Sequence, residues 1–293
     1  MPAEPRRVTT TTLRDWPLPS ADGGKESRGR TLVVGGTSRT PGSVLLAAEA
    51  LLRSGAGKLQ VATAQSVAAA LSVAVPEAMV CPLPETADGE IDPSAAGTIL
   101  DLAGSCAAVL LGPGLMDPDN AETLLAGIVP KLSCSVVVDA VGMAYLTAHP
   151  EGLSHLEGRA VLTPNQAELA ITLGMDEDEV DDDPVRAIVR LATTAGATVV
   201  SGSATSWVAS PEGQVWVVDT GGPGLGASGS GDVKSGIITG LCARGCPPEQ
   251  AAVWGTYLHG RAGDRLAASI GRLGFLAREL LREVPAALAE IEV

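Results

Sequence analysis

From residue 31 onward, short apolar runs alternate with longer stretches whose apolar positions recur at helical spacing. The runs Thr31–Gly35, Lys58–Ala62, Ala78–Cys81, Ala107–Leu111, Ser135–Asp139, Ala160–Leu162 and Ala197–Ser201 have the length and β-branched content of strands. Helical spacing is found over Gly42–Ser54, Ser66–Ala74, Pro93–Leu102 and Pro184–Ala195, and from about Asn165. Strand, helix, strand repeats of this kind predict parallel strands joined by right-handed crossovers. Pro211-Glu212-Gly213 separates two further strands, Ser206–Ala209 and Val215–Val218, and predicts an antiparallel edge. The final third reads as three helices, Ser230–Arg244, Pro248–Ala268 and Leu273–Ala289. Residues 1–29, rich in Thr, Pro, Gly and charge, are expected to form an extended arm ahead of a single domain spanning residues 30–293.

Composition sharpens this picture. Hydrophobic residues make up 45% of the chain and aromatics only 2%, so the core must be built from Val, Leu, Ile and Ala, as in strands covered on both faces. A formal net charge of −14 argues against a nucleic-acid or anionic-membrane partner and leaves a small ligand in a local pocket. No apolar stretch has the length of a membrane span and no apolar signal segment follows Arg6 and Arg7, so a cytoplasmic protein is expected. The five cysteines form no CxxC pair and are read as free thiols, with Cys242 and Cys246 four residues apart on a helix end.

Chemistry concentrates in glycine clusters. Gly221 to Asp232 reads GGPGLGASGSGD and runs into an apolar-periodic helix, an arrangement that points unpaired N–H groups and the positive helix end at an anion. Asp232, in the first helical turn, is either a cap or a general base. The Lys-Ser/Thr that closes a Walker A loop is absent, and Lys234 lies beyond the Asp. Thr163-Pro164-Asn165-Gln166-Ala167-Glu168 puts Asn165 and Glu168 three residues apart, either as a capping box or as a holder of hydrated Mg²⁺. Gly35-Gly36-Thr37-Ser38 and Gly112-Pro113-Gly114 also fall at strand ends, where open α/β sheets collect ligands.

With these segments in view, the chain resembles the ADP- or ATP-dependent NAD(P)H-hydrate dehydratases of the ribokinase-like superfamily. The resemblance runs from about Arg28 to Leu266. It is carried by Val33-Val34-Gly35-Gly36-Thr37-Ser38, Arg53-Ser54-Gly55-Ala56-Gly57, Pro76-Glu77-Ala78-Met79-Val80, Gly112-Pro113-Gly114-Leu115 and Gly229-Ser230-Gly231-Asp232-Val233. It implies a three-layer αβα fold with a central, mostly parallel sheet. It also implies a reaction in which ADP or ATP, with Mg²⁺, phosphorylates the ring hydroxyl of hydrated NADH or NADPH and loss of phosphate restores the double bond.

On the same resemblance Asp232 is the catalytic base, and Ser43, Gly114, Asn165 and Asp232 line the substrate pocket. The nucleotide lies against Ser201, Gly202, Ser203, Ala204, Thr205, Gly229, Ser230 and Gly231, with Glu168 on the metal. A homo-oligomer, in this family often a tetramer, is also implied. Four positions depart from the family pattern. The chain has Ser201-Gly202 where Lys-Gly is usual, Val141 where Asp-Ala-Asp usually ends, Ala227 for a Thr, and Asn165 in a segment that usually reads His-Pro-Gly before the Glu. The Asn-x-x-Glu spacing keeps a vitamin- or sugar-type kinase as an alternative, and Ser201 and Val141 keep a silent nucleotide-binding relative as another.

Overall fold

The computed structural model describes residues 4–20, 22–203 and 205–292. Strand β1 (Arg6–Arg7) and helix α1 (Thr10–Arg14) come first, followed by β2 (Arg30–Val34), α2 (Pro41–Arg53), β3 (Lys58–Ala64), α3 (Gln65–Ala74) and β4 (Ala78–Leu83). The middle of the chain supplies α4 (Ala96–Ala103), β5 (Ala108–Leu111), α5 (Pro118–Ile128), β6 (Ser135–Val138), α6 (Ala144–Ala148) and β7 (Ala160–Leu162). Then come α7 (Gln166–Leu173), α8 (Glu177–Asp182), α9 (Pro184–Ala195), β8 (Thr198–Gly202), β9 (Ser206–Ala209), β10 (Val215–Val218), α10 (Ser230–Ala243), α11 (Pro248–Ser269) and α12 (Ala277–Ala289). The last helix begins four residues beyond the expected Leu273, because Gly271 and Gly274 keep the preceding segment in a loop.

One sheet holds all ten strands in the order β1-β10-β9-β8-β7-β6-β5-β2-β3-β4. Only β9 runs against its neighbours, so the antiparallel edge expected around Pro211 is present and the remaining pairings are parallel. Alternation along each strand sends side chains to two cores. Val33, Leu110, Val137, Val161 and Val200 pack with α2, α10, α11 and α12. Leu32, Val34, Val109, Leu111, Val136 and Val138 pack on the opposite face with α4, α5, α7 and α9. The result is the expected three-layer αβα arrangement.

The segment expected as an extended arm is folded onto the domain. Arg6 and Arg7 pair with Trp216 and Val217, Trp16 stacks on Trp216 with ring centroids 6.0 Å apart, and Leu13 is fully buried. The carbonyl of Trp16 accepts from Trp254 Nε1 at 2.9 Å and from Gln250 Nε2 at 3.0 Å. A Thr9–Thr12 capping box closes a helix of five residues, too short to leave a period in the sequence. Truncating Leu13 to Ala is expected to cost about 2–4 kcal/mol and lower the melting temperature by roughly 5–10 °C. Unchanged calorimetric melting would remove this segment from the core in solution.

Candidate functional site

All the parallel strands end at one edge of the sheet, and there the glycine clusters meet. The chain winds outward from β2 through β3 to β4, then crosses to β5 on the other side of β2, so β2 and β5 flank the topological switch point where open α/β sheets form their ligand crevice. The loops beyond these two strands are fastened together. Gly36 N–H donates to Pro113 O at 2.8 Å, and the Thr40 hydroxyl donates to Gly114 O at 2.6 Å. A Cβ on Gly35 would lie 2.0 Å from Pro113 O, so only glycine permits this approach.

The second part of the site is the start of α10. Gly229 caps it in the left-handed region at φ 86°, where a side chain would be strained and would meet Leu46. Among the described residues, the N–H groups of Gly229, Gly231 and Asp232 donate to no acceptor and remain available to an anion. Ser230 is used differently. Its N–H bonds to Ala227 O and its buried hydroxyl to His259 Nε2 at 2.9 Å, so it braces the turn from behind. Burial, reinforced by nearby Lys234, holds His259 down to about 3, and its imidazole is neutral at physiological pH.

Around this helix start the fold gathers acidic groups distant in sequence. Burial, then repulsion from Asp139 and Glu168, pushes Asp232 up to about 7, against the pull of a hydrogen bond from Ser43. Asp139, at the end of β6, is buried and accepts from the Thr163 hydroxyl at 2.7 Å. Burial likewise raises Glu168, with Asp139 adding to the rise; the Asn165 N–H bond and the Lys234 charge oppose it. Half-buried Lys234 is lowered by burial while Asp139 and Glu168 hold it up. Among the described residues it forms no ion pair, so its ammonium is left for a ligand.

Several residues singled out from the sequence are thereby united. Ser43, Gly114 and Asp232 stand together: an added Cβ on Gly114 would lie 3.1 Å from that of Ser43, whose hydroxyl is near enough to Asp232 to pull its carboxyl down. Asn165 and Glu168 form a reciprocal capping box, at 2.8 Å from Glu168 N to Asn165 Oδ1 and 2.9 Å from Asn165 N to Glu168 Oε2. That box accounts for their spacing and leaves Glu168 Oε1 open. Ser201 and Gly202 end β8 at the same edge of the sheet, Ser203 and Thr205 lie between β8 and β9, and Ala204 lies outside the described residues. Ser201 is 2% exposed and its hydroxyl has no partner among the described residues, as expected of a group reserved for a ligand. Ser201→Ala is expected to leave melting unchanged and weaken adenine-nucleotide binding about two- to tenfold; equal titrations of both proteins would exclude the hydroxyl from the site.

Three contributors escaped the sequence reading. His259 carries no local pattern, and Asp139 entered only as the start of the Asp139-Ala140-Val141 segment, although it sits at the carboxyl end of a strand, where ligands collect. Lys234 entered only as a residue beyond the phosphate loop. Val141, in place of the usual family Asp, lines an apolar cavity of about 360 Å³ between α5, α6 and α7, with Glu168 at its border. The cysteines are all free, and burial raises Cys134 to about 11 and Cys246 to about 12, so neither is a ready thiolate.

Comparison with known proteins joins this geometry to a family. The family model described as NAD(P)H-hydrate dehydratase matches residues 31–286. The chain belongs to the NAD(P)H-hydrate dehydratase family. It is 44% identical over 284 residues to the ADP-dependent (S)-NAD(P)H-hydrate dehydratase of Xanthomonas campestris pv. campestris, covering 97% of this chain and 96% of that protein. It is 34% identical to the bifunctional NAD(P)H-hydrate repair enzyme of Moorella thermoacetica, over 98% of this chain and 54% of the relative. The chain thus spans about half the length of such bifunctional relatives. The ADP/ATP-dependent NAD(P)H-hydrate dehydratase of Bacillus subtilis, co-crystallised with ATP/Mg²⁺, superposes with a TM-score of 0.80 at 23% identity, covering 99% of each chain. The dehydratase fold is therefore the ribokinase-like one expected from the sequence.

Proposed function

We propose that this protein repairs hydrated NADH or NADPH at the expense of ADP or ATP. The nucleotide's terminal phosphoryl group passes to the ring hydroxyl with cleavage of its bridging P–O bond, and the shortened nucleotide is released. The ring C–O bond then breaks, phosphate leaves with the electron pair, and loss of a ring proton restores the double bond. The observation that carries this reading is Asp232, held near neutrality in the first turn of a helix whose leading N–H groups are free among the described residues. A carboxylate poised at about 7 suits a base that takes the hydroxyl proton, and the free N–H groups suit the charge on the transferring phosphoryl group.

The donor set fits Mg²⁺, because among the described residues Glu168 Oε1 and Asp139 Oδ2 accept no hydrogen bond, and Mg²⁺ needs few protein carboxylates beside water and phosphate. Bound there, the ion would neutralise phosphate charge. Ser43 and Gly114 would border the nicotinamide ring, and the Ser201–Thr205 segment would receive the nucleotide. The vitamin-kinase alternative loses its main support, since the capping box explains the Asn165–Glu168 spacing. Among the described residues no helix is long and apolar enough to cross a membrane. A cytoplasmic site of action and a homo-oligomer belong to the same reading.

The test is incubation of the protein with hydrated NADH or NADPH and ADP or ATP, following recovery of the reduced-nicotinamide absorbance together with phosphate release. Recovery with equimolar phosphate supports repair. A stable phosphorylated product would return the kinase reading, and nucleotide binding without turnover would return the silent relative.

A further inference from the structure

The three loops that follow β2, β4 and β5 enclose a second polar hollow of about 620 Å³, with Arg39, Asp88, Glu90, Met116 and Asp117 on its walls. Nothing in the reaction described above uses it. The loop after β4 is tied into place, with Ser38 N–H donating to Gly89 O at 2.9 Å, Glu90 N–H to the Thr86 hydroxyl at 3.2 Å, and residues 85 and 91 bridging antiparallel. These contacts carry Glu90 inward until it is only 3% exposed. Its Oε2 accepts a long bond, 3.4 Å, from Met116 N–H, and its Oε1 has no partner among the described residues.

A buried carboxylate oxygen without a donor is costly to keep, and native folds rarely keep one without use. Beside it, exposed Arg39 forms no ion pair among the described residues. Asp117 has other work, capping α5 through the N–H groups of Asp119 and Asn120. The guanidinium of Arg39 on the wall of the hollow opposes a cation there. An orphaned acceptor next to a free guanidinium instead matches a ligand with hydroxyl donors close to a phosphate, which is the chemistry of a ribose phosphate. The hollow also adjoins the substrate side of the main site. Met116 lies two residues from Gly114, and Arg39 is followed by Thr40, whose hydroxyl holds the Gly114 carbonyl.

We infer that Glu90 and Arg39 form the subsite for a ribose phosphate portion of the dinucleotide substrate, with Glu90 accepting from ribose hydroxyls and Arg39 pairing with phosphate. This inference rests on the repair reading, since only that reading brings a dinucleotide to Gly114 and Ser43. The subsite would hold the part of the substrate remote from the reacting ring and so contribute to binding rather than to the chemical step.

The test uses the products of repair, NADH and NADPH, as equilibrium ligands, with ADP as control. Glu90→Gln and Arg39→Gln are expected to weaken both reduced cofactors about five- to tenfold and to raise KM for the hydrates by the same factor. Affinity for ADP should be unaltered and kcat should stay within twofold. Glu90→Gln is nearly isosteric and keeps an oxygen for Met116 N–H, so it should melt close to the wild-type temperature, which separates lost recognition from lost folding. Should that variant fail to fold, exposed Arg39 carries the comparison alone. Unchanged cofactor affinities and KM in a protein that repairs hydrates would overturn the subsite and leave the activity standing. A wild-type protein inert towards both hydrates would overturn the repair reading and the subsite with it.

Discussion

Replacing Asp232 by Asn should lower turnover by about 10²–10⁴-fold, the usual cost of losing a general base, while nucleotide affinity stays within a few-fold because the change is nearly isosteric. The wild-type profile supplies a second signature. With Asp232 at about 7, kcat/KM should climb with pH below neutrality and level off above it, and Asp232→Asn should lose that limb. The same substitution should stabilise the fold. A carboxyl raised from 3.8 to about 7 on folding contributes its stability below the unfolded value and loses it as pH rises through the folded one. Such a displacement is worth at most about 4 kcal/mol, and partial exposure reduces it to about 1–3 kcal/mol. Asp232→Asn should therefore melt above the wild type at pH 8 and level with it below pH 4. Full turnover in the variant would reduce Asp232 to a helix cap.

The second large effect is expected at Lys234. Where the resemblance implies a Lys on β8 the chain has buried Ser201, and the ammonium of Lys234 on α10 faces Asp139 and Glu168. Its removal in Lys234→Met takes away one charge-assisted contact to phosphate, worth about 1.5–3 kcal/mol, and so should reduce kcat/KM for ADP or ATP by about 10–100-fold. Part of the attraction is Coulombic, so the deficit should narrow as salt rises, and Lys234→Arg should restore part of the activity. Equal nucleotide KM values in wild type and Lys234→Met at two ionic strengths would show that this ammonium serves only its carboxylate neighbours.

The elements that bury one face against the sheet were legible because burial imposes a period. Strands β7, β9 and β10 fall on their expected residues, and α9 spans Pro184–Ala195 as its spacing predicts. Strand β1 and helix α1 are shorter than any period that would reveal them, and what fixes them is contact with Trp216, Gln250 and Trp254, more than 200 residues away. The site divides the same way. The loop before Asp232 announces itself through glycine, whereas Asp139, His259 and Glu90 owe their character to desolvation and to neighbours that only the tertiary fold supplies.

Asp232 at the start of α10 and buried His259 of α11 also set how this site meets acid. His259, depressed to about 3, gives up its proton on folding between roughly pH 3 and 6.5, so its share of stability grows as pH rises across that range. Asp232 acquires a proton on folding between about pH 4 and 7, and its share declines. Where the windows overlap, folding moves a proton from one side chain to the other and exchanges almost none with solvent at this site. The wild-type fold should thus be nearly indifferent to mild acidification here, and Asp232→Asn should expose the slope of the histidine alone.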